Sequence, residues 1–462
     1  MPEGTPSPLG SDQRGGGDRL SSVTRARALE IVRRLQGAGF TAFWVGGCVR
    51  DQLLGRLPED YDIATDAKPE QVEALFPRTV PVGRQFGVML VVEDHEHFQV
   101  ATFRAEADYR DGRHPNRVEF STARADAERR DFTVNGLFYD PVRDELYDWV
   151  NGRADLDARL LRTIGEPDQR FAEDHLRILR AARFAAQLDF SIEERTLRSV
   201  RANAPKVASV SAERVRDELI KLLRPPHAAR GLELLRLTGL LGVVLPELEP
   251  TLTCEQSPDY HPEGTVFQHL VKMLTFLPMD APPTLPWMAL LHDVAKPATF
   301  RRDPATGQIT FYGHETIGAE MAAAILDRLR FPRKQIEEIV TGVRYHMQFK
   351  DVPKMRKASL RRMLLRPTFP VEMALHRLDC LGSHGRLDHY DLLTHEADAF
   401  AEQPALRPPL LTGTDLIALG VAPGPKLGAL LAELREKQLQ DELTNSDEAR
   451  AWAARRIQES QP

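Results

Sequence analysis

Val45-Gly46-Gly47-Cys48-Val49-Arg50-Asp51-Gln52-Leu53-Leu54-Gly55-Arg56-Leu57-Pro58-Glu59-Asp60-Tyr61-Asp62-Ile63-Ala64-Thr65-Asp66 reads as strand, glycine turn, short helix and second strand. Gly46 and Gly47 carry no Cβ, so their backbone can approach a phosphate closely, and the start of a helix favours an anion. Arg50 rides on that helix. Asp60 and Asp62 stand two apart in the second strand, a spacing that puts both carboxylates on one face, within reach of one pair of metal ions. A nucleoside triphosphate carried on two Mg²⁺ ions needs this set of parts. Either half alone is common, and a surface turn beside Pro58 is the bland reading of the carboxylates. Both halves within about 20 residues, in this order, are far more specific.

A chain of 462 residues allows roughly two to four domains. Its balance of 42% hydrophobic and 28% charged residues is that of a soluble globular protein. Residues 1–18, rich in Gly, Pro and Ser, read as part of a disordered tail with no signal-peptide core. The longest apolar run, 237–245, is short of the ~20 residues a membrane span requires. Cys48, Cys254 and Cys380 show no metal-finger spacing and suit a reducing, cytoplasmic setting as small buried hydrophobes. A net charge of −6 gives no global basic field, so an RNA partner must be held by local basic surface.

Thr24 is placed to cap a helix whose Ala28, Ile31, Val32 and Leu35 share a face, with Gly37 and Gly39 stopping it. Strand signals follow at 41–45, 61–64, 87–92, 98–103 and 118–120. This predicts an α/β head with a small mixed sheet, ending near Gly165. Beyond Pro167 the pattern is helical to the end, broken at Arg224-Pro225-Pro226, 258–262 and Pro282-Pro283. On a helical wheel Asp174, Arg177 and Arg180 fall in one arc of roughly 120°, opposite Ile178, Leu179, Ala182 and Ala186.

The opening stretch resembles the first motif of the class II nucleotidyltransferases, the family of bacterial CCA-adding enzymes and bacterial poly(A) polymerases. Arg129-Arg130-Asp131-Phe132-Thr133-Val134-Asn135-Gly136 resembles the RRDFTxN motif of that family. Glu173-Asp174-His175-Leu176-Arg177-Ile178-Leu179-Arg180-Ala181-Ala182-Arg183-Phe184 resembles its EDxxRxxRxxRF motif. The resemblance covers about residues 25–455. It implies an α+β fold: a polymerase-beta-like head with a small mixed sheet, then an all-α neck, an HD-type helical body and a tail. The division expected is 1–22 tail, 23–165 head, 166–250 neck, 251–395 HD-type domain and 396–462 tRNA-binding tail.

The reaction implied is in-line attack of an RNA 3′-hydroxyl on the α-phosphorus of CTP or ATP, with Asp60 and Asp62 as catalytic Mg²⁺ ligands and pyrophosphate as the leaving group. Glu119 or Asp131 would supply a third carboxylate. Gly46, Gly47, Arg50, Arg129, Arg130, Asp131 and Asn135 would line the nucleotide. Asp174 accepting from an exocyclic amine and Arg177 donating to the adjacent ring acceptor would select cytosine and adenine over guanine and uracil. Arg180 and Arg183 would hold the triphosphate or the helix packing. The polar segment 104–116 resembles the family's flexible loop, which helps switch selection from CTP to ATP.

His269, His292, Asp293 and Asp379 resemble the ligand set of an HD-type phosphohydrolase, with His314 and His346 extending it to a second ion. The metals this implies are Mn, Ni, Co or Mg, and the activity is hydrolysis of cyclic or terminal phosphates on RNA. Arg344, Lys350, Lys354, Arg356, Lys357, Arg361, Arg362 and Arg366, with Tyr345 and Phe349, form the densest basic run, read either as an RNA-binding surface or as a solvated helix face. The partners implied are tRNA, CTP and ATP, with no membrane and no DNA. The leading expectation is a tRNA nucleotidyltransferase adding CCA or part of it. Against a poly(A) polymerase stand Val82-Gly83-Arg84-Gln85-Phe86-Gly87 and an acidic C-terminus (Glu433, Glu436, Asp441, Glu442) in place of a long basic tail. A phosphohydrolase with a nucleotide-recognising head would not need Asp60 and Asp62, and a non-catalytic RNA-binding protein would show broken motifs.

Overall fold

The computed structural model describes residues 5–6, 18–109, 115–401 and 408–459. Its contacts divide into two compact units, residues 1–222 with 230–246, and residues 223–229 with 247–462. Among the described residues, no helix is long and apolar enough to cross a membrane.

The first unit is built on a mixed sheet. Its strands are β1 (Thr5–Pro6), β2 (Ala42–Val45), β3 (Ile63–Thr65), β4 (Thr79–Gly83), β5 (Val88–Glu93), β6 (Glu96–Thr102), β7 (Arg104–Tyr109), β8 (Pro115–Phe120), β9 (Phe138–Asp140) and β10 (Glu145–Tyr147). All but the β7–β8 hairpin join one sheet in the order β1-β10-β9-β2-β3-β6-β5-β4. Within this sheet only β3 and β6 pair in parallel, and the crossover between them carries the helix Pro69–Leu75 and strands β4 and β5. Strand β2 is central and buried at every position. Period-2 alternation sends Phe43 to an aromatic cluster with Phe103, Phe138 and Tyr147, and Trp44 to the other face with Tyr61 and Tyr139. Each such fully buried ring contributes about 1.5–3 kcal/mol.

Several expectations need correction. The first helix, α1 (Asp18–Gly37), starts before Thr24, whose hydroxyl donates to Glu96 Oε1 at 3.0 Å instead of capping. Ala28, Ile31, Val32 and Leu35 do form its buried face. The expected disordered tail, 1–22, therefore includes the start of α1, and Thr5–Pro6 pairs with Leu146 and Glu145; its remaining residues lie outside those described. Strands β4, β9 and β10 carried no recognised signal. Segment 104–116, expected as a loop, has strand arms at both ends, and 110–114 lie outside the described residues.

After the sheet come α2 (Gly47–Leu53, in the loop after β2), α3 (Ala123–Glu128), α4 (Pro167–Glu173), α5 (Leu176–Leu188) and α6 (Ala212–Leu222). Helix α5 starts beyond Asp174, which caps the end of α4. The wheel that put Asp174 on α5 is thus one turn too long. Arg177 and Arg183 are buried too, so α5 is enclosed around most of its circumference rather than on one face.

The second unit is helical. Leu285–Leu291 is buried at all seven positions and forms its axis. Around it lie Val266–Thr275, His314–Arg328, Arg333–Tyr345 and Phe369–Gly382. A Cβ on Gly382 would sit 2.6 Å from Met273 Cγ, so glycine there permits the close approach of the first and last of these helices. The C-terminal helices Gly413–Ala418, Pro425–Leu439 and Ser446–Glu459 enclose a small core of Leu411, Leu416, Leu434, Leu443, Ala449 and Ala453.

Candidate functional site

Sheet pairing assembles the first cluster. Val45 N–H donates to Asp62 O at 3.0 Å and Gly46 N–H to Leu137 O at 3.1 Å, which draws the glycine turn, the Asp60–Asp62 segment and the Thr133–Gly136 turn to one end of β2. Asp60 and Asp62 precede β3 rather than lie within it, yet the alternation holds: Tyr61 is buried between an exposed Asp60 and a partly buried Asp62. Burial, then repulsion from Asp60, pushes the Asp62 carboxyl up to about 6, against the pull of Arg130. Burial and the charges of Glu59 and Asp51 raise Asp60 too. Two carboxylates whose burial and repulsion outweigh the pull of Arg130, Arg50 and Lys221 suit a divalent ion.

Gly46 has φ 73° and ψ −125°, a conformation nearly closed to other residues, and a Cβ there would lie 2.8 Å from Arg130 Nη1. At Gly47 a Cβ would meet only Arg50 Nη2, at an ordinary 3.7 Å, so the chain itself does not demand glycine. Gly46→Ala is expected to cost roughly 1–3 kcal/mol and to displace Arg130. Urea unfolding beside an assay of nucleotide addition checks this, and parental values in both would refute it.

The arginines are already engaged. Arg50 is buried, donating to both oxygens of Asp51 at 2.8 and 2.9 Å and to Asn135 Oδ1 at 2.7 Å. Arg129 and Arg130 both pair with buried Asp126, at 2.7 and 3.1 Å. Asp131 accepts from Asn135 at 3.1 Å and from Arg180 at 2.7 Å. Burial alone would raise its pKa, but the Arg180 charge and these hydrogen bonds hold it well below the usual carboxylate range. Asp131 is therefore a pairing carboxylate; the side chain of Glu119, the other candidate for a third ligand, lies outside the described residues.

Arg180 also faces Glu218 at 3.7 Å, and Arg183 donates to the other oxygen of Glu218. The expected Asp174–Arg177 fork is not formed. Asp174 pairs with Arg214 at 2.7 Å, while Arg177 pairs with Glu173 and donates to Arg129 O at 3.1 Å. Sequence reasoning missed Asp126, Arg214 and Glu218. Glu218 had a signal: it interrupts the apolar stripe Val215, Leu219, Leu222 of α6, and an acid on a buried stripe needs a cation.

His292, Asp293, His314, His346 and Asp379 of the second cluster line a cavity of ≈1030 Å³ in the second unit. His269, His292, Asp293, His314 and His346 are all buried. Asp293 Oδ2 lies 3.1 Å from His292 Nε2 and 4.0 Å from His269 Nε2; its Oδ1 lies 3.4 and 3.8 Å from Nε2 of His314 and His346. Asp379 Oδ1 is 3.2 Å from His269 Nε2. All six expected ligands thus converge. His269 Nε2, His292 Nε2 and Asp293 Oδ2 are buried without an aligned hydrogen-bond partner, the pattern left by a group of ligands short of a cation. Lys296, with Nζ 2.7 Å from Asp293 Oδ2, and Glu263, bonded to His269, were not anticipated.

The basic run is largely consumed within the unit. Arg361 is buried on Leu439 O and Asp441, Lys357 also pairs with Asp441, Arg362 with Glu436 at 2.9 Å, and Arg366 with Glu372 beneath Tyr345. Phe349 is buried. Lys350, Lys354 and Arg356 stay exposed and Arg344 is half-buried, so the expected basic face shrinks to these four.

Three family descriptions match in order: Poly A polymerase head domain at residues 42–162, Probable RNA and SrmB-binding site of polymerase A at 189–252, and HD domain at 266–399. An A-adding tRNA nucleotidyltransferase of Deinococcus radiodurans is 36% identical over 432 residues, 90% of this chain and 95% of that protein. A CCA-adding enzyme of Streptococcus thermophilus is 33% identical over 429 residues, 92% of this chain and 94% of that protein. The structure of the Bacillus stearothermophilus CCA-adding enzyme in complex with CTP superposes with a TM-score of 0.70 at 27% identity, covering 94% of this chain and 98% of that one. Identity of this level over nearly whole lengths, on the motifs described above, makes this chain a member of the tRNA nucleotidyltransferase family that includes the CCA-adding enzymes.

Proposed function

We propose that the chain is a cytoplasmic enzyme that adds CCA to the 3′ end of tRNA from CTP and ATP. The observation that carries this is the pair Asp60 and Asp62, drawn beside the Gly46–Gly47 turn by sheet pairing, where burial and carboxylate repulsion outweigh the pull of Arg130 and Arg50. The raised carboxyl of Asp62 fits a divalent ion, Mg²⁺ in our reading, held by both residues. Such an ion supplies activation of the attacking hydroxyl and charge neutralisation on the leaving pyrophosphate. The chain's own part is binding and orientation. Gly47 offers backbone that nothing in the protein crowds. Arg50 borders Gly47 and Arg130 borders Gly46, braced by Asp51 and by Asp126, which Arg129 shares. Asp131 and Asn135 link Arg50 to Arg180. Base selection by Asp174 and Arg177 requires both to exchange their present partners, Arg214 and Glu173, for a base. Head, neck, HD-type body and tRNA-binding tail remain our division of labour.

In the second unit we assign divalent ions of the Mn, Ni, Co or Mg type to the histidine–aspartate cluster, with phosphate-ester hydrolysis as its chemistry. A second reading of the head, addition of the final A alone, is favoured by the similarity to the A-adding enzyme. Two tRNA transcripts decide, one ending before CCA and one ending in CC, each with Mg²⁺ and CTP, ATP or both. Growth of the first to CCA with both nucleotides is expected. Extension of only the CC-ended transcript, by one A, would replace this with the A-adding reading. A long A ladder would overturn both in favour of a poly(A) polymerase.

A further inference from the structure

His269, His292, His314 and His346 turn the same nitrogen toward Asp293, but they are not held alike. His292, His314 and His346 each hold Nδ1 on a backbone carbonyl three residues earlier, those of Ala289, Phe311 and Val343, at 2.9, 2.7 and 2.6 Å. A carbonyl only accepts, so Nδ1 carries the hydrogen and Nε2 keeps its lone pair for a cation. At His269, Nδ1 instead bonds a carboxylate, Glu263 Oε1, at 2.7 Å, whereas Glu315 Oε2, 3.6 Å from His314 Nδ1, stands outside hydrogen-bond range. The Glu263 side chain is 6% exposed, and its Oε2 has no hydrogen-bond partner. Its Oε1 also receives Nδ1 of His261 at 2.9 Å. The turn bearing it is fixed: Gly264 has φ 113°, Gln268 occupies the space a Cβ would fill, and Thr265 N–H donates to Gln268 Oε1 at 2.8 Å.

The two oxygens of Asp293 divide the cluster. Oδ2 faces His269 and His292, and Oδ1 faces His314 and His346. We propose that Glu263 is a positioning residue that makes the two halves unequal: it fixes His269 with Nε2 toward the Oδ2 half and strengthens that half alone as a divalent-cation site. The physical ground is that a carboxylate behind an imidazole fixes its tautomer and increases electron donation from the other nitrogen, whereas a neutral carbonyl only fixes it. The inference rests on the reading of this cluster as a metal centre.

The test is calorimetric titration of Mn²⁺ into the full-length, metal-free protein. An Asp60→Ala, Asp62→Ala background removes the head's own carboxylate pair. Two ions of unequal affinity are expected in the second unit. Glu263→Gln keeps the shape and an acceptor oxygen but loses the charge, so the tighter site weakens by about 10–100-fold while the other holds. His314→Ala removes the other instead. Unchanged melting of metal-free Glu263→Gln shows that affinity, not fold, has moved. If melting falls, Glu263→Asp restores the charge: recovered affinity supports the proposal, and none overturns it. Equal affinities in parent and Glu263→Gln would overturn it. So would a third ion, which would make His261, Glu263 and His269 a site in their own right. Absence of any bound ion in the background protein would refute the metal centre, and this inference with it.

Discussion

Asp62→Asn is expected to melt above the parent at pH 7.5 without divalent metal while adding nucleotides roughly 10³-fold more slowly or worse. The stability gain follows from the carboxyl's environment. Burial and Asp60 push it up to about 6, against about 3.9 for an unfolded aspartate. The folded chain therefore holds this proton to higher pH than the unfolded chain does. Stability linked to it is complete below about pH 4 and is lost as pH rises through about 6. At pH 7.5 the ionised group destabilises the metal-free first unit by roughly 1–3 kcal/mol, the lower figure allowing for solvent screening. An amide removes that charge, and with it the ligand. Thermal melts of both proteins at pH 4 and pH 7.5 check this: coincidence at the acid end and a gap at the neutral end are expected. Coincident melts at pH 7.5 would refute the repulsion, and a variant that adds CCA at the parental rate would remove Asp62 from catalysis.

Glu218→Ala is expected to destabilise the first unit by about 3–5 kcal/mol, because it strands the buried charge of Arg183, whereas Arg180 keeps Asp131. Arg183 is buried against Glu218, and Arg180 faces its other oxygen. For a unit of this size the loss corresponds to a fall in melting temperature of roughly 10 °C. Adding Arg183→Met should recover part of it, since the stranded charge goes with the side chain and the methylenes stay packed. Melting temperatures of the two single variants and the double variant close the cycle. A single Glu218→Ala costing under about 1 kcal/mol would show that the network is solvated and merely decorates α5.

What was legible in the sequence was local. The Gly46–Gly47 turn, the alternation of Asp60, Tyr61 and Asp62, and the apolar face of α1 depend on residues within two turns of one another. Their placement could be read from spacing. The His292-Asp293 step was legible for the same reason, since a buried helix leads straight into it. What failed was pairing at long range. Arg180 looked presented because its acid, Asp131, lies 49 residues earlier, and Arg183 is held by Glu218, 35 residues beyond it. The basic run likewise looked free because Asp441 stands 80 residues after Arg361. Strands β9 and β10, three residues each, are too short to show a period, and the end of α4 was absorbed into α5 because both are helical and only Asp174 and His175 separate them.

The carbonyl anchors of His292, His314 and His346 have one more consequence. Because each ring is tethered to its own stretch of backbone, its rotational freedom is lost when the helices form, not when an ion arrives. In small zinc domains, by contrast, the ion organises the chain and chelation dissolves it. On the metal-centre reading proposed above, loading would instead be docking into a finished receptacle. A chelator should empty the cavity and leave the helical unit standing, so metal exchange can proceed in the folded protein, and cellular metal supply can set the state of this unit without touching its fold.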